Sequence, residues 1–219
     1  MKSRLTLTIT IIIFHQFLQA QNDPTKLVEK ITDNTYRIDN ILINTTTKTL
    51  EFPAWVNMTE GLVEVMVCAP GGKDHESVFI ANVVPSYLNS ALLLLGLETD
   101  KDLNYDPRTP NIIGPSLNIF VEWEVDGDLF RIPAENTLIN ITDSSTVDNI
   151  NWVYTGSFSK SGHYAADNVK SIITTYNDLT TIIDNGSKSG IDDTLFEANP
   201  KVLPPKRTDV KILIQLNKE

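Results

Sequence analysis

The chain has 219 residues, of which 18 are basic and 28 are acidic, so its formal net charge is −10. This acidic balance argues against nucleic acid and against anionic membrane surfaces as partners, because both are bound through basic patches. A single cysteine excludes an internal disulfide, a cysteine-ligated iron–sulfur cluster and a zinc ribbon within one chain.

The first twenty residues have the layout of a secretory signal peptide. Lys2 and Arg4 form a short basic start, an uncharged apolar run follows, and Ala20 is a small residue before a cleavage point. The run is shorter than the roughly 20 apolar residues that a membrane span needs, so an uncleaved signal anchor is the less favoured alternative. We expect a mature chain of residues 21–219, a single β-rich domain with net charge −12 that is exported as a soluble periplasmic or secreted bacterial protein.

Short runs rich in β-branched and aromatic residues predict strands along most of the mature chain. Residues 44–47 form a turn after the first run, and the Asp126-Gly127 pair predicts a tight hairpin. The predicted strands cover residues 36–43, 48–56, 61–68, 78–84, 117–125, 129–132, 152–155, 171–176 and 210–216. Their spacing predicts a mainly β or α+β fold, either an antiparallel β-sandwich or an open barrel.

One helix is predicted at residues 86–96, with Ser86 as its N-cap and Gly96 as its stop. Apolar residues lie nearly all round it, so we expect it to be buried and packed on a sheet. A weaker helix at residues 179–184 is ambiguous, because its β-branched pairs also suit a strand. Residues 100–116 contain three prolines and predict a long ordered loop, a kind of segment that is often functional.

The segment at residues 70–77, Pro-Gly-Gly-Lys-Asp-His-Glu-Ser, is the first candidate site, because loops between rigid strands often hold functional side chains. Lys73 is a cation suited to a carboxylate, phosphate or sulfate, and His75 can act as a base, acid or metal ligand near neutral pH. Candidate catalytic residues are His75, Glu76 and Lys73, and candidate binding residues are Gly72, Lys73, His75, Glu76 and Ser77. The alternative is a solvent-exposed hairpin loop whose charged residues serve only to keep it hydrated.

Cys68, at the end of the preceding predicted strand, has two interpretations. Free cysteine is among the most buried residue types, so a buried thiol is favoured. The alternative is a nucleophile paired with His75, but an apolar strand end raises the thiol pKa and disfavours the reactive thiolate.

No metal site and no cofactor are predicted. His75, Glu76, Glu122, Glu124 and His163 would bind a metal only if the fold gathered them, and no HExxH spacing is present. Residues 184–193 faintly resemble a calcium loop, but Gly186 and Lys188 stand where oxygen ligands are needed, so a polar turn is favoured. Neither a Gly-x-Ser-x-Gly motif nor a phosphate-cradling glycine loop occurs.

Six segments together resemble one known family. They are GLVEVMVC at 61–68, GKDHES at 72–77, ALLLLG at 91–96, VEW at 121–123, WVYTGS at 152–157 and IIDN at 182–185. The chain, from about residue 50 to 216, is similar to the YdjY-like domain of exported bacterial proteins. The resemblance implies export and architecture and directs attention to Lys73, His75 and Glu76, but it implies no settled activity. Some relatives carry a cysteine-rich ferredoxin-like region, whose cysteines this chain lacks.

Three hypotheses for function remain. The first is a non-enzymatic exported binding module of the cell envelope, with residues 70–77 and 100–116 as one rim and an unknown ligand or envelope protein as partner. The second is a hydrolase or lyase acting on a polysaccharide or peptide, with His75 and Glu76 as acid and base and Lys73 stabilising negative charge. The third is a structural or assembly partner of another envelope protein.

Overall fold

The computed structural model describes residues 27–98, 112 and 114–217. The predicted signal peptide and most of the proline-rich segment 100–116 lie outside these residues. The strands are β1 (Glu29–Lys30), β2 (Thr35–Ile38), β3 (Ile41–Asn44), β4 (Thr49–Val56), β5 (Val65–Cys68), β6 (Ser77–Ala81), β7 (Ser116–Val125), β8 (Asp128–Pro133), β9 (Leu138–Asn140), β10 (Trp152–Tyr154), β11 (Ser159–Lys160), β12 (His163–Tyr164), β13 (Ser171–Thr174), β14 (Ile183–Asn185), β15 (Phe196–Ala198) and β16 (Asp209–Leu216). The helices are α1 (Pro85–Leu94) and α2 (Ala165–Val169), and 3-10 turns cover Asp74–Glu76, Ala134–Thr137 and Lys188–Ile191.

Eight strands form a closed barrel in the order β4, β16, β7, β10, β14, β13, β5 and β6. The barrel closes because β6 pairs back with β4, from Ala54 opposite Ala81 to Val56 opposite Phe79. Two neighbouring pairs, β13 with β14 and β5 with β6, are parallel, whereas the other pairs in the barrel are antiparallel. The predicted mainly β fold with one helix packed on a sheet is therefore confirmed, and the barrel is closed rather than open.

Strand β4 changes partner along one of its edges. Its first residues, 49–51, pair with β3, and its last residues, 54–56, pair with β6. Pro53, which has no N–H group to donate, lies in the gap between these two partners, where a proline is tolerated in a strand. Beyond this gap β3, β2 and β1 extend the sheet outside the barrel, and β8 extends it from β7 at another point.

Helix α1 packs on this sheet and ends as its sequence predicts. It contacts β2, β3 and α2, and its buried residues belong to the same apolar core as the barrel strands. Gly96 has φ +98°, and the N–H groups of Gly96 and Leu97 donate to the carbonyls of Leu93 and Leu92. This is a Schellman motif, which needs a residue that adopts the left-handed conformation.

The predicted N-cap of α1 is wrong. The helix begins at Pro85, so Ser86 lies inside its first turn, and Val84 occupies the N-cap position. The backbone N–H of Ser86 instead donates to Oδ1 of Asp167 on α2, at 2.8 Å. A carboxylate from another element therefore caps the helix and faces the positive end of its dipole.

Two other predicted elements differ in kind from the structure, and the strand predicted at 61–68 begins only at Val65. The strand predicted at 36–43 is two strands, β2 and β3, because a tight turn at Asp39, with φ 51°, brings Ile38 opposite Ile41. The weak helix predicted at 179–184 is absent, since Asp178 accepts hydrogen bonds from the N–H and hydroxyl groups of Thr180 and fixes a turn before β14. In the described part of the chain, no helix is both long enough and apolar enough to cross a membrane.

Candidate functional site

The 70–77 loop connects two parallel strands and is not a hairpin. Val65 of β5 lies opposite Ser77 of β6, and Cys68 lies opposite Ile80. The chain leaving β5 must therefore travel back along the strand by three residue steps, about 10 Å, before β6 begins. Val65, Cys68 and Ile80 form a small buried cluster that Trp55 borders, and the loop contacts it where Asp74 meets Cys68.

The glycine pair lets the loop pass close to another part of the chain. Gly71 has φ +76°, which most residues rarely adopt. A Cβ atom on Gly72 would lie 3.0 Å from Cβ of Lys170 and 3.2 Å from the carbonyl oxygen of Ala69. Lys170 fastens this passage, because its backbone carbonyl accepts from Ala69 N–H at 2.8 Å and its Nζ donates to the Pro70 carbonyl at 3.0 Å.

Lys73 is held by side chains of this same chain. Its Nζ lies 2.9 Å from Oε2 of Glu64 and 2.9 Å from Oε1 of Glu76, and it donates to the hydroxyl of Tyr176 at 3.0 Å. Burial alone would lower the pKa of Lys73, but the contacts with Glu76, Tyr176 and Glu64 outweigh it and raise the pKa above its usual range. Lys73 is thus a permanently charged residue that holds the loop in place. The sequence suggested that Lys73 binds a carboxylate of a ligand, but Glu64 and Glu76 of the same chain supply its carboxylates.

Ser77 and Asn57 hold the loop backbone. The buried hydroxyl of Ser77 donates to the Lys73 carbonyl at 2.6 Å. The side-chain amide of Asn57 donates to the carbonyls of Asp74 and Ser77, at 2.6 and 2.8 Å. Gly72 and Ser77, two of the predicted binding residues, therefore shape the loop.

His75 is the candidate that the loop exposes. Its side chain is 81 % exposed, and its Nε2 lies 3.5 Å from Oε2 of Glu76. Glu76 is much more buried and faces Lys73 with its other oxygen, so one carboxylate joins Lys73 to the exposed imidazole. The sequence-based pairing of His75 with Glu76 thus has a structural counterpart.

Cys68 is fully buried, as predicted, and its thiol does not pair with His75. It donates to Oδ1 of Asp74 at 3.5 Å. Burial and the nearby charges of Asp74 and Glu76 raise the pKa of the Cys68 thiol to about 12, although a hydrogen bond with Ser77 opposes them. The thiol is therefore neutral near neutral pH, which makes the Cys68–His75 nucleophile hypothesis wrong for this arrangement.

The sequence did not single out Glu64 and Tyr176, although they hold the loop. Tyr176 follows β13, and its hydroxyl also donates to Oδ2 of Asp178 at 3.4 Å. Burial raises the pKa of Tyr176, and the hydrogen bond with Lys73 partly opposes this rise. No local sequence pattern indicates such a contact, because the pairing of β13 with β5 is what brings Tyr176 close to Lys73.

The dispersed metal candidates do not form a centre. Across residues 27–98, 112 and 114–217, no group of three or more His, Cys, Asp or Glu side chains is placed to hold a metal ion. Glu122 instead pairs with Arg131, 3.5 Å away, and His163 lies on the short strand β12.

The calcium-like stretch 184–193 contains a buried carboxyl. Oδ1 of Asp184 accepts from the hydroxyl of Thr174 and from the N–H of Asp178, both at 2.8 Å, while Oδ2 has no hydrogen-bond partner among the described residues. Burial raises the pKa of Asp184 to about 8, and these two donors oppose the rise. After β14 the chain makes a 3-10 turn at Lys188–Ile191, which agrees with the interpretation of residues 184–193 as a polar turn.

Comparison with known proteins gives one match. A family model described as the YdjY domain matches residues 41–215, from the first residue of β3 to the penultimate residue of β16. No curated protein and no solved structure matches the chain.

Proposed function

The chain belongs to the YdjY domain family, and on that premise we propose that it is an exported, non-enzymatic binding or accessory module of the cell envelope. The observation that carries the proposal is the construction of the 70–77 loop. Lys73 fixes the loop internally through Glu64, Glu76 and Tyr176, while the side chain of His75 stays 81 % exposed at its surface.

A loop fixed in this way is suited to recognition. Ordering a flexible loop on binding costs free energy, and a loop already ordered in the free protein avoids most of that cost. Here the backbone is held by Ser77, Asn57 and Lys170, and the side chain of Lys73 is held by two carboxylates. The loop therefore presents one imidazole in a defined setting, which favours a binding role.

The same contacts weigh against the hydrolase or lyase alternative. General acid–base catalysis needs groups that exchange protons near the working pH and reach the substrate. Glu76 is largely buried and pairs with Lys73 at 2.9 Å, and the raised pKa of Lys73 keeps the lysine protonated. Stabilisation of negative charge by Lys73 would require a substrate to displace Glu64 or Glu76.

The charges around the loop suggest what kind of ligand it binds. Asp74 and His75 are exposed and Glu76 is partly exposed. Of the two nearby lysines, Lys73 is paired with carboxylates and Lys170 donates to the Pro70 carbonyl. A ligand with basic or hydrogen-bond-donating groups complements such a surface. We therefore propose an envelope polypeptide rather than an anionic ligand as the partner of the loop.

Photocrosslinking tests the proposal in cells. A photoreactive phenylalanine analogue replaces Pro70, an exposed residue of the same loop, so that His75 stays in place in the full chain, expressed in a bacterium; the control places the analogue at Asn149, which is also exposed. We expect one discrete protein adduct in the envelope fraction from position 70, which Lys73→Met and His75→Ala each weaken, and none from position 149. No adduct from position 70, or the same adduct from both positions, would contradict the proposal.

The enzymatic alternative has its own test. The purified wild-type chain is incubated with peptidoglycan fragments and with a mixture of defined oligopeptides, and products are followed by mass spectrometry. The proposal predicts no turnover. Turnover that His75→Ala and Glu76→Gln each abolish, with folding intact, would replace it with the hydrolase or lyase alternative.

A further inference from the structure

Within the described part of the chain, strand β8 has one edge without a partner strand. It pairs with β7 alone among the described residues, from Val125 opposite Asp128 to Phe120 opposite Pro133, without a register shift. Alternate residues of β8 therefore direct their backbone N–H and C=O groups away from β7, except that Pro133, the last residue, has no N–H group. A row of such groups is a template for pairing with another extended chain.

The opposite end of the same sheet is built differently. Strand β1, at that end, has only two residues, Glu29 and Lys30, and both are charged and exposed. Short, charged edge strands are a common device against unwanted pairing. Strand β8 is longer, with six residues, and its Leu129 and Phe130 are apolar and exposed between the charged Asp128 and Arg131.

The open edge also carries exposed apolar side chains. Leu129 is 69 % exposed and Phe130 is 45 % exposed. The ring of Phe130 stacks on that of Trp123, with centroids 5.6 Å apart and planes 10° apart. The stack fixes an apolar surface beside the edge, and fixed aromatic side chains are typical anchors of protein interfaces.

The charges around this edge are negative. Glu124, Asp126 and Asp128 are all exposed near the turn that joins β7 to β8. Arg131 is the one basic residue in the hairpin sequence, and it is engaged by Glu122 at 3.5 Å and lies 4.3 Å from the centroid of the Phe120 ring. The hairpin thus offers carboxylates with no free cation of its own.

We propose that the open edge of β8 binds an extended segment of a partner polypeptide in which apolar residues alternate with lysine or arginine. Main-chain hydrogen bonds to β8 would supply affinity, as in other cases of strand addition. Alternate side chains of an added strand point to the two faces, so its apolar residues would pack beside Phe130 on one face. Its basic residues would approach Glu124, which lies opposite Leu129 on the other face. This surface is separate from the 70–77 loop, and the proposal for β8 does not depend on the binding role proposed for that loop.

The probe is a fluorescent peptide of about ten residues in which lysine alternates with valine, titrated into the purified chain at about 0.15 M salt, where long-range attraction between charges is screened. Three matched peptides accompany it: one with glutamate for lysine, one with the lysines and valines in two blocks, and one with alternate backbone nitrogens methylated. The key variant is Leu129→Lys. Its control is Ile191→Lys, which adds the same charge at an apolar residue that is 53 % exposed elsewhere.

We expect saturable binding of the alternating lysine peptide, a Kd raised at least about tenfold by Leu129→Lys or by backbone methylation, and little effect of Ile191→Lys. Equal binding of the glutamate or block peptide, or equal effects of the two variants, would overturn the proposal. So would wild-type dimers that Leu129→Lys dissociates in sedimentation, which would make a second copy the occupant. Slow amide exchange along the outer edge of β8 in the free chain would show that the chain covers this edge itself, and would overturn it as well.

Discussion

Nζ of Lys73 lies 3.0 Å from the hydroxyl of Tyr176 and 5.2 Å from the centroid of its ring. The two residues are far apart in sequence, and their contact ties the 70–77 loop to the chain that follows β13. The charge of Lys73 is therefore part of the structure that holds the loop. We expect its removal to lower the free energy of unfolding.

Lys73→Met tests this role. The change leaves Glu64 and Glu76 side by side, both largely buried and without their shared cation, so we expect a loss of about 1–3 kcal/mol in the free energy of unfolding. Urea unfolding followed by fluorescence measures it. Lys30→Met removes an exposed ion pair with Asp33 and should change stability by less than about 0.5 kcal/mol.

A triple variant separates the electrostatic part of the stability loss in Lys73→Met from the part due to lost packing. Adding Glu64→Gln and Glu76→Gln to Lys73→Met removes the repulsion between the carboxylates and should restore part of the stability. If the triple variant is no more stable than Lys73→Met, the hold of Lys73 on the loop is not electrostatic.

His75→Ala should behave in the opposite way. The His75 side chain is largely exposed and its nearest charged partner is Glu76 at 3.5 Å, so we expect the free energy of unfolding to change by less than about 0.5 kcal/mol. Thermal unfolding monitored by circular dichroism measures the effect. A fall as large as that of Lys73→Met would mean that His75 is a structural residue and would weaken its use in recognition.

Cys68 should resist alkylation while the chain is folded. Its thiol is buried and its pKa is raised to about 12, so little thiolate exists at pH 8 and reagent has no access. We expect iodoacetamide labelling, followed by mass spectrometry, to be slow in buffer and rapid in concentrated urea. Fast labelling of the native chain would place Cys68 in a more open environment than the one described.

Asp184 should make stability depend on pH. Its pKa is raised from 3.8 to about 8 by burial, so the folded chain holds this proton more tightly than the unfolded chain does. The stability due to Asp184 is therefore fully present below pH 3.8 and is lost as pH rises through about 8.

Asp184→Asn removes this titration and keeps a similar shape. We expect the variant to gain stability relative to the wild type between pH 5 and pH 8, by up to about 1.4 kcal/mol for each pH unit. Urea unfolding across this range measures the difference. Curves for the two proteins that stay parallel over the whole range would contradict a raised pKa for this carboxyl.

Much of the fold follows from local patterns. Asp126 and Gly127 both have positive φ, 53° and 90°, and join β7 to β8 by the two-residue turn that their sequence predicts. Gly96 ends α1 in the same predictable way. These features depend on one or two residues and their neighbours, so a single sequence contains the information.

The parallel pairing of β5 with β6 could not be predicted in this way. Two short apolar strands joined by a short glycine-containing loop suggest a hairpin. The loop instead returns along β5, and Lys73 holds it there through Glu64 and the distant Tyr176. For the same reason the sequence identified the exposed His75 of the candidate site but not the residues that hold the loop in place.

Strand β16 has a consequence for the order in which the barrel forms. It lies between β4 and β7, so that Ile212 pairs with both Phe52 and Val121, which come far earlier in the chain. Contacts between positions far apart in sequence form slowly, because closing the long intervening loop costs conformational entropy before the contacts stabilise the fold. A ribosome must therefore make nearly all of the described chain before the barrel can close.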